Sequence, residues 1–311
     1  MPLSEFELIA RYFRDQPVER EDVVQGIGDD CAEVTIADGH EMLVDVSCFA
    51  EGGHFQAGDD PAGIGHRALA YALTRLAACG AEPAWLTLAL TLPRVDEQWL
   101  RDFSGGLLRL AQRHRVALVG GDTTRGPLTV GLQLHGLLPM GSAVPANGAR
   151  PGDLLYIIGP LGAAGLAVLS LAGELQLPIQ QRQDVLEWLY HPEPPVAAAA
   201  ALRGLAHGAC PLADGLAQSL AGFLDNAGVG ATVQVQRLPL SPAVEASFDQ
   251  AGGWNLPLHG QDPCGLCIAV PAERQAEWEQ RLAAHGLMGR WVGIVEPRPG
   301  LRCVLDDGTE I

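Results

Sequence analysis

Two short stretches of this chain combine glycine with acid in the way a phosphate and metal site requires: Gly26-Ile27-Gly28-Asp29-Asp30 and Gly120-Gly121-Asp122-Thr123-Thr124-Arg125-Gly126. Glycines let the backbone come close to phosphate oxygens and take φ > 0, while neighbouring carboxylates hold a hard, oxygen-seeking cation. Together they point to Mg²⁺, a nucleotide phosphate tail and phosphoryl transfer. Asp29, Asp30 and Asp122 are the candidate metal ligands, and Gly120, Gly121 and Asp122 the candidate residues for binding the nucleotide phosphates.

The elements that must carry these residues follow from periodicity. Residues 5–14 have Phe6, Ile9, Ala10 and Phe13 at helical spacing, and Met42 to Ser47 alternates as a strand. Asp59-Asp60-Pro61 supplies a capping carboxylate and a proline at the first helical position, opening an alanine-rich helix that ends before Gly80. Trp85–Leu92 predicts a buried strand, 97–114 a helix, and Val116–Val119 a short strand that delivers the second glycine-acid stretch as a loop. Residues 128–138 form another strand, and Pro139–Pro151 is the most linker-like stretch. That divides the chain into domains at 1–140 and 150–311. The second half restarts with a strand at 154–158 and a helix to Leu171, and a later helix opens at Asp214 with Leu216, Leu220, Phe223 and Leu224 on one face.

Composition narrows the function classes. With 311 residues, 48% of them hydrophobic, and a mean hydropathy of +0.12, the chain has material for two packed cores. Its formal charge of −17 repels nucleic acid and anionic membranes, so a nucleotide has to be met locally. Seven cysteines at irregular spacing form no disulfide framework, and Cys264-Gly265-Leu266-Cys267 lacks a second Cys/His pair at zinc spacing. No apolar run reaches a membrane span, and Met1–Phe6 shows no export signal, so the expected compartment is the cytoplasm.

The two glycine-acid stretches, together with Ala81-Glu82-Pro83-Ala84-Trp85-Leu86-Thr87-Leu88-Ala89-Leu90-Thr91-Leu92-Pro93, resemble the thiamine-monophosphate kinase family of the aminoimidazole-ribonucleotide synthetase-like superfamily. The resemblance runs from Glu5 to about Pro271. It implies a two-domain α/β (α+β) fold whose N-terminal sheets pair across a homodimer into a shared barrel. It also implies transfer of the γ-phosphoryl group of ATP to thiamine phosphate, with Mg²⁺ carrying much of the charge neutralisation. By position, Asp30 is the implied central metal ligand with Asp29 beside it, Asp122 lies under the nucleotide phosphates, and His54 contacts the thiamine substrate.

Several positions depart from the family pattern. A gapless count from Asp30 to His54 places Ser47 where the family strand has aspartate. Asp45, on the same strand face about 6–7 Å away, is the candidate to restore that ligand. Arg75 replaces a metal-binding aspartate on the alanine-rich helix, and Pro211 and Ala213 replace polar residues of an Asp-x-Ser-Asp-Gly motif, leaving Asp214, which is read either as a metal ligand or as a helix cap. Asp262 is the nearest stand-in for a substrate-contacting glutamate.

The leading expectation is therefore a kinase-like protein with weakened or lost catalysis and a reduced or absent Mg²⁺ complement. Two alternatives stand beside it. In one, the chain is a kinase with fewer metals, in which Asp45 ligates and Arg75 neutralises phosphate. In the other, it is a nucleotide-binding regulatory subunit that forms a heterodimer with an intact homologue.

Overall fold

Every second residue of His40–Ala50 turns toward a helical layer, and the sheet built around that strand organises the first half of the protein. The computed structural model describes residues 5–14 and 18–311, apart from the side chains of residues 5 and 6. The Phe6 side chain and Met1–Ser4, invoked above, lie outside the described residues. Two compact units emerge, one from the residues up to Leu76 with Ala81–Gly141, the other from Ala77–Gly80 with Ser142–Ile311.

The first unit opens with α1 (Glu5–Ile9), a π-helical turn at Ala10–Arg14, and the short strands β1 (Val23–Gln25) and β2 (Glu33–Val34). Then come β3 (His40–Ala50), α2 (Pro61–Ala78), β4 (Glu82–Leu92), α3 (Glu97–Arg113), β5 (Ala117–Arg125) and β6 (Thr129–Pro139). The sheet order is β3-β6-β4-β5, so β3 and β5 are its edges. β3 and β6 pair antiparallel from His40↔Pro139 to Ala50↔Thr129, whereas β4 and β5 run parallel across the α3 crossover.

Asp60 opens α2 as the sequence predicts, its Oδ2 accepting the Gly63 N–H at 2.9 Å. Asp96 does the same for α3, accepting from Gln98 and Trp99. The two helices meet where neither has a side chain: a Cβ on Gly106 would sit 2.0 Å from the Ala62 carbonyl oxygen, and one on Gly65 would sit 2.4 Å from that of Phe103. Leu69, Leu73, Leu86, Leu90, Phe103 and Leu107 close the core beneath them. Trp85 is buried too, its Nε1–H donating to Asp22 Oδ1 at 3.0 Å, with Arg20 gripping the same carboxylate at 2.8 and 2.6 Å. Burial alone raises the Asp22 pKa, but the Arg20 and Trp85 hydrogen bonds outweigh it and leave it below the ordinary carboxylate value.

The expected Gly120–Gly126 loop is corrected by the structure. β5 does not stop at Val119 but runs on to Arg125, paired with β4 as far as Leu92↔Arg125. The strand passes one register shift between Leu86 and Thr87, and Gly121 lies against Leu88 so closely that a Cβ would come within 2.0 Å of the Leu88 oxygen. Close strand approach is therefore one reason for glycine here. The linker-like stretch is likewise packed: Val144 and Ala149 are buried in the second unit, and Gly148 abuts the His207 carbonyl.

The second unit contains β7 (Leu154–Ile158), α4 (Ala163–Leu171), α5 (Ile179–Tyr190), α6 (Ala198–Leu202), β8 (Gly208–Pro211), α7 (Leu216–Ala227) and β9 (Gly230–Gln234). It continues through α8 (Pro242–Ala246), α9 (Asn255–His259), β10 (Leu266–Val270), α10 (Gln275–Ala284), β11 (Gly289–Glu296) and β12 (Gly300–Val304). Its six strands are ordered β12-β9-β11-β7-β10-β8. Leu155 and Ile157 join the α7 residues Leu216, Leu220, Phe223 and Leu224 in one core. Tyr156 and Ile158 pack on the opposite side with α6 and with Trp278 of α10. Helices thus cover both faces, the mixed α/β layering expected from the sequence.

Candidate functional site

The most informative polar cluster lies where α2 crosses the buried face of β3. Strand alternation turns Asp45, Ser47 and Phe49 to the same side, and Ser47 and Phe49 are buried. Helical spacing aligns Tyr71 and Arg75 above them, with the Tyr71 ring edge-on to Phe49 at 5.6 Å. Arg75 Nε donates to Asp45 Oδ1 at 2.7 Å, and Ser47 Oγ donates to Asp45 Oδ2 at 3.1 Å. The Arg75 guanidinium also stands over the Tyr71 ring at 5.7 Å, with Nη1 donating weakly to the Tyr71 hydroxyl at 3.4 Å. Burial works to lower the Arg75 pKa, yet the Asp45 charge and the Tyr71 hydroxyl hold it above its ordinary value. Both Asp45 oxygens are thus committed to this cluster.

The other acids are arranged differently. Asp29 accepts from the Asp30 backbone N–H at 2.7 Å and from the Gln25 side chain, while the exposed Asp30 carboxylate has no hydrogen-bond partner among the described residues. Asp122 is exposed on β5 in register with Ala89, and the neighbouring Thr124 and Thr91 hydroxyls meet at 3.3 Å on that same face. Asp45 and Asp122 therefore occupy opposite faces and opposite edges of one sheet, three strand spacings or about 14 Å apart across it and offset by three residues, about 10 Å, along it. Within a single first unit they are not brought together. Among the described residues, no group of three or more His, Cys, Asp or Glu is placed to hold a metal ion.

His54 sits in the turn after β3. Its Nδ1 accepts the Ala50 N–H at 3.3 Å and its ring packs tilted against Phe49, with centroids 4.9 Å apart. Sequence reasoning missed the residue that fixes this turn: Arg67 of α2, only 8% exposed, donates from Nη2 to the His54 carbonyl at 2.7 Å and lies 4.0 Å from Asp59. Its signal was an arginine in the first turns of an otherwise alanine-rich helix. Beside the turn is a cavity of about 360 Å³ walled by Phe55, Ile64, Leu92 and Trp99, with Glu51 and Arg94 at its polar margin.

In the second unit two expectations change. Asp214 does not cap α7, because the cap position is Gly215 and no side chain bonds there. Asp214 is exposed, with Pro211 and Ala213 partly buried just before it. Asp262, expected at a substrate, is buried to 6% exposure, and its Oδ2 accepts the Gly162 N–H at 2.8 Å at the start of α4. Burial pushes its pKa up to about 7, against the lowering pull of the Gly162 and Ala164 N–H groups. The α4 terminus, capped by no side chain of its own, takes this carboxyl from a distant loop. Cys264 and Cys267 are buried and form no disulfide, and among the described residues they belong to no cluster that could hold a metal ion.

Comparison with known proteins fits this architecture. The N-terminal domain model of "AIR synthase related protein" matches residues 28–138 and the C-terminal one matches 150–306. The thiamine-monophosphate kinase of Escherichia coli (strain K12) is 38% identical over 314 residues, covering 100% of this chain and 96% of that protein. The chain belongs to the thiamine-monophosphate kinase family. A crystal structure of the family member from Stenotrophomonas maltophilia K279a superposes with a TM-score of 0.89 at 33% identity, covering 100% of this chain and 99% of that one. The fold is also shared with AaThiL complexed with AMPPCP and TMP, at a TM-score of 0.79 and 21% identity over 89% of this chain and 87% of that one. Among the described residues, no helix is long and apolar enough to cross a membrane.

The divalent cations implied by the family can be tested against the donors present. Asp30 and Asp122 in the first unit and, separately, Asp214 in the second are exposed carboxylates, the donor type that a hard cation accompanying nucleotide phosphates takes. The β3–α2 position does not fit one, because a guanidinium already stands against the Asp45 carboxylate there.

Proposed function

We propose that this protein binds ATP and thiamine phosphate and transfers the γ-phosphoryl group between them to give thiamine diphosphate, at a turnover well below that of an intact site. The family membership supports the reaction, as do the retained Asp30, Asp122 and Gly120-Gly121, and the single observation behind the slow turnover is the Asp45–Arg75 contact at 2.7 Å. Phosphoryl transfer is mostly positioning plus charge neutralisation, so the oxygen donors that fix the cations matter more than any nucleophile. Mg²⁺ held by Asp30 and Asp122 would neutralise phosphate charge. His54, held by Ala50 and Phe49, is proposed to contact the thiamine substrate. If three altered positions each weaken the transition state by ~2 kcal/mol, turnover falls by about four orders of magnitude.

We further propose a homodimer in a cytoplasmic setting. Met42, Val44 and Val46 of β3 are 38%, 51% and 65% exposed on the face away from α2, an apolar stripe on an edge strand that suits a second copy. Pairing through the sheet edges β3 and β5 would form the barrel and would bring the opposite-edge acids of different copies toward each other.

The decisive assay follows thiamine diphosphate formed from ATP and thiamine phosphate with saturating Mg²⁺. Slow, Mg²⁺-stimulated product formation, below ~1 s⁻¹, supports the reading; a kcat of ordinary enzyme size, roughly 10 s⁻¹, contradicts the slow site. No product despite tight ATP binding would favour a nucleotide-binding regulatory subunit.

A further inference from the structure

The family's cation chemistry and this chain's β3–α2 cluster disagree, and the disagreement has a definite shape. At this place the chain provides the Asp45 carboxylate, the Arg75 guanidinium and the hydroxyls of Ser47 and Tyr71. The carboxylate faces the guanidinium Nε at 2.7 Å and the Ser47 hydroxyl at 3.1 Å, so each of its oxygens already holds a donor and a fixed positive charge stands beside it, which opposes the approach of a divalent ion. The Arg75 side chain is 41% exposed, and among the described residues its Nη2 has no hydrogen-bond partner. Its Nη1 makes only the 3.4 Å contact to Tyr71. A guanidinium fork anchored through Nε by a carboxylate and steadied over an aromatic ring presents its outer edge to solvent in the geometry that suits a phosphate.

We infer that Arg75 is a resident cation that takes the place of one divalent ion, with its outer Nη edge binding an oxygen of the nucleotide phosphates directly and Asp45 positioning it. Asp45 is then not a metal ligand, and the expectation that it would restore the missing acid is replaced by a role acting through Arg75. An ion pair with an exposed partner contributes little to folding, so stability alone gives weak reason to hold this geometry. The inference rests on the nucleotide-binding half of the proposed function but not on the identity of the phosphoryl acceptor.

Two measurements on the full-length protein test it without an activity readout. The first counts Mn²⁺ bound to nucleotide-free protein by electron paramagnetic resonance, comparing the wild type with Ser47→Asp/Arg75→Asp. The double variant is expected to bind one more Mn²⁺ per chain; equal counts, or a wild-type count that drops on Asp45→Asn, would overturn the inference. The second titrates AMP-PNP in EDTA by calorimetry. The wild type is expected to bind without metal, Arg75→Gln to weaken that binding at least tenfold, and Asp45→Asn to weaken it less while leaving the Mn²⁺ count unchanged. Arg75→Lys keeps the charge but loses the fork, and should fall severalfold; it carries the test if the glutamine variant does not fold. No wild-type binding in EDTA, or no loss on removing the guanidinium, would refute the resident cation. If no thiamine diphosphate forms while both results hold, the acceptor reading fails and the resident cation stands.

Discussion

Asp45 in the first unit and Asp262 in the second were both expected to meet ligands, and their surroundings separate them. Asp45 lies under a guanidinium with a hydroxyl beside it, at a cluster whose cationic half is 41% exposed. Asp262 has no cationic partner among the described residues; it is buried against the first N–H groups of α4, and its pKa is pushed up to about 7. The same side chain thus serves in one place to aim a charge outward and in the other to close a helix end. A carboxylate's role is set by what faces it and by its access to water, neither of which its position in a motif reveals.

The contrast is broken most severely by restoring acids to the first cluster. In Ser47→Asp/Arg75→Asp the two regained ligands, at ~2 kcal/mol each, should raise Mg²⁺-dependent kcat by about a thousandfold. Unchanged steady-state turnover would mean that the cluster does not limit the reaction.

Asp262 gives the next largest effect, through pH. Its folded pKa of about 7 lies above the ordinary 3.8, so the folded state holds more protons between those values. Its contribution to stability is full below pH 3.8 and is lost as pH rises to about 7. At 1.36 kcal/mol per pH unit the change is as much as about 4 kcal/mol. Denaturant unfolding of Asp262→Asn should lose this slope, so the variant gains on the wild type as pH rises from 4 to 8. A parallel pair of curves would show that Asp262 is not the buried acid described here.

Smaller effects sharpen the description of the first unit. Gly106→Ala drives a methyl group into the Ala62 carbonyl and should lower stability by about 1–3 kcal/mol in thermal unfolding. Asp22→Asn weakens the Arg20 and Trp85 contacts and should cost about 1 kcal/mol near neutral pH. Because the Asp22 pKa is lowered in the folded state, that advantage is present above pH 3.8 and disappears as pH falls through the folded value, so acid unfolding curves of wild type and variant should converge.

Much of the scaffold was legible because periodicity reports burial directly. The alternation of β3, the Asp60-Pro61 opening of α2 and the apolar run of β4 all fix their elements from neighbouring residues alone. The continuation of β5 through Gly120-Gly121 was not legible, since glycine signals a loop unless the chain opposite is known, and here Leu88 lies close against it. Likewise Arg75 was legible as the residue standing in place of an acid, but its pairing with Asp45, thirty residues earlier, was not. The Asp262 contact spans a hundred residues to Gly162, a separation that no local pattern encodes.

The most direct measurement is a crystal structure of the protein with AMP-PNP, Mg²⁺ and thiamine phosphate. The expected result is Arg75 still bonded to Asp45 and touching a phosphate oxygen, with Mg²⁺ near Asp30 or Asp122 and none coordinated by Asp45. A Mg²⁺ ion coordinated by Asp45, with the Arg75 side chain swung away, would contradict it.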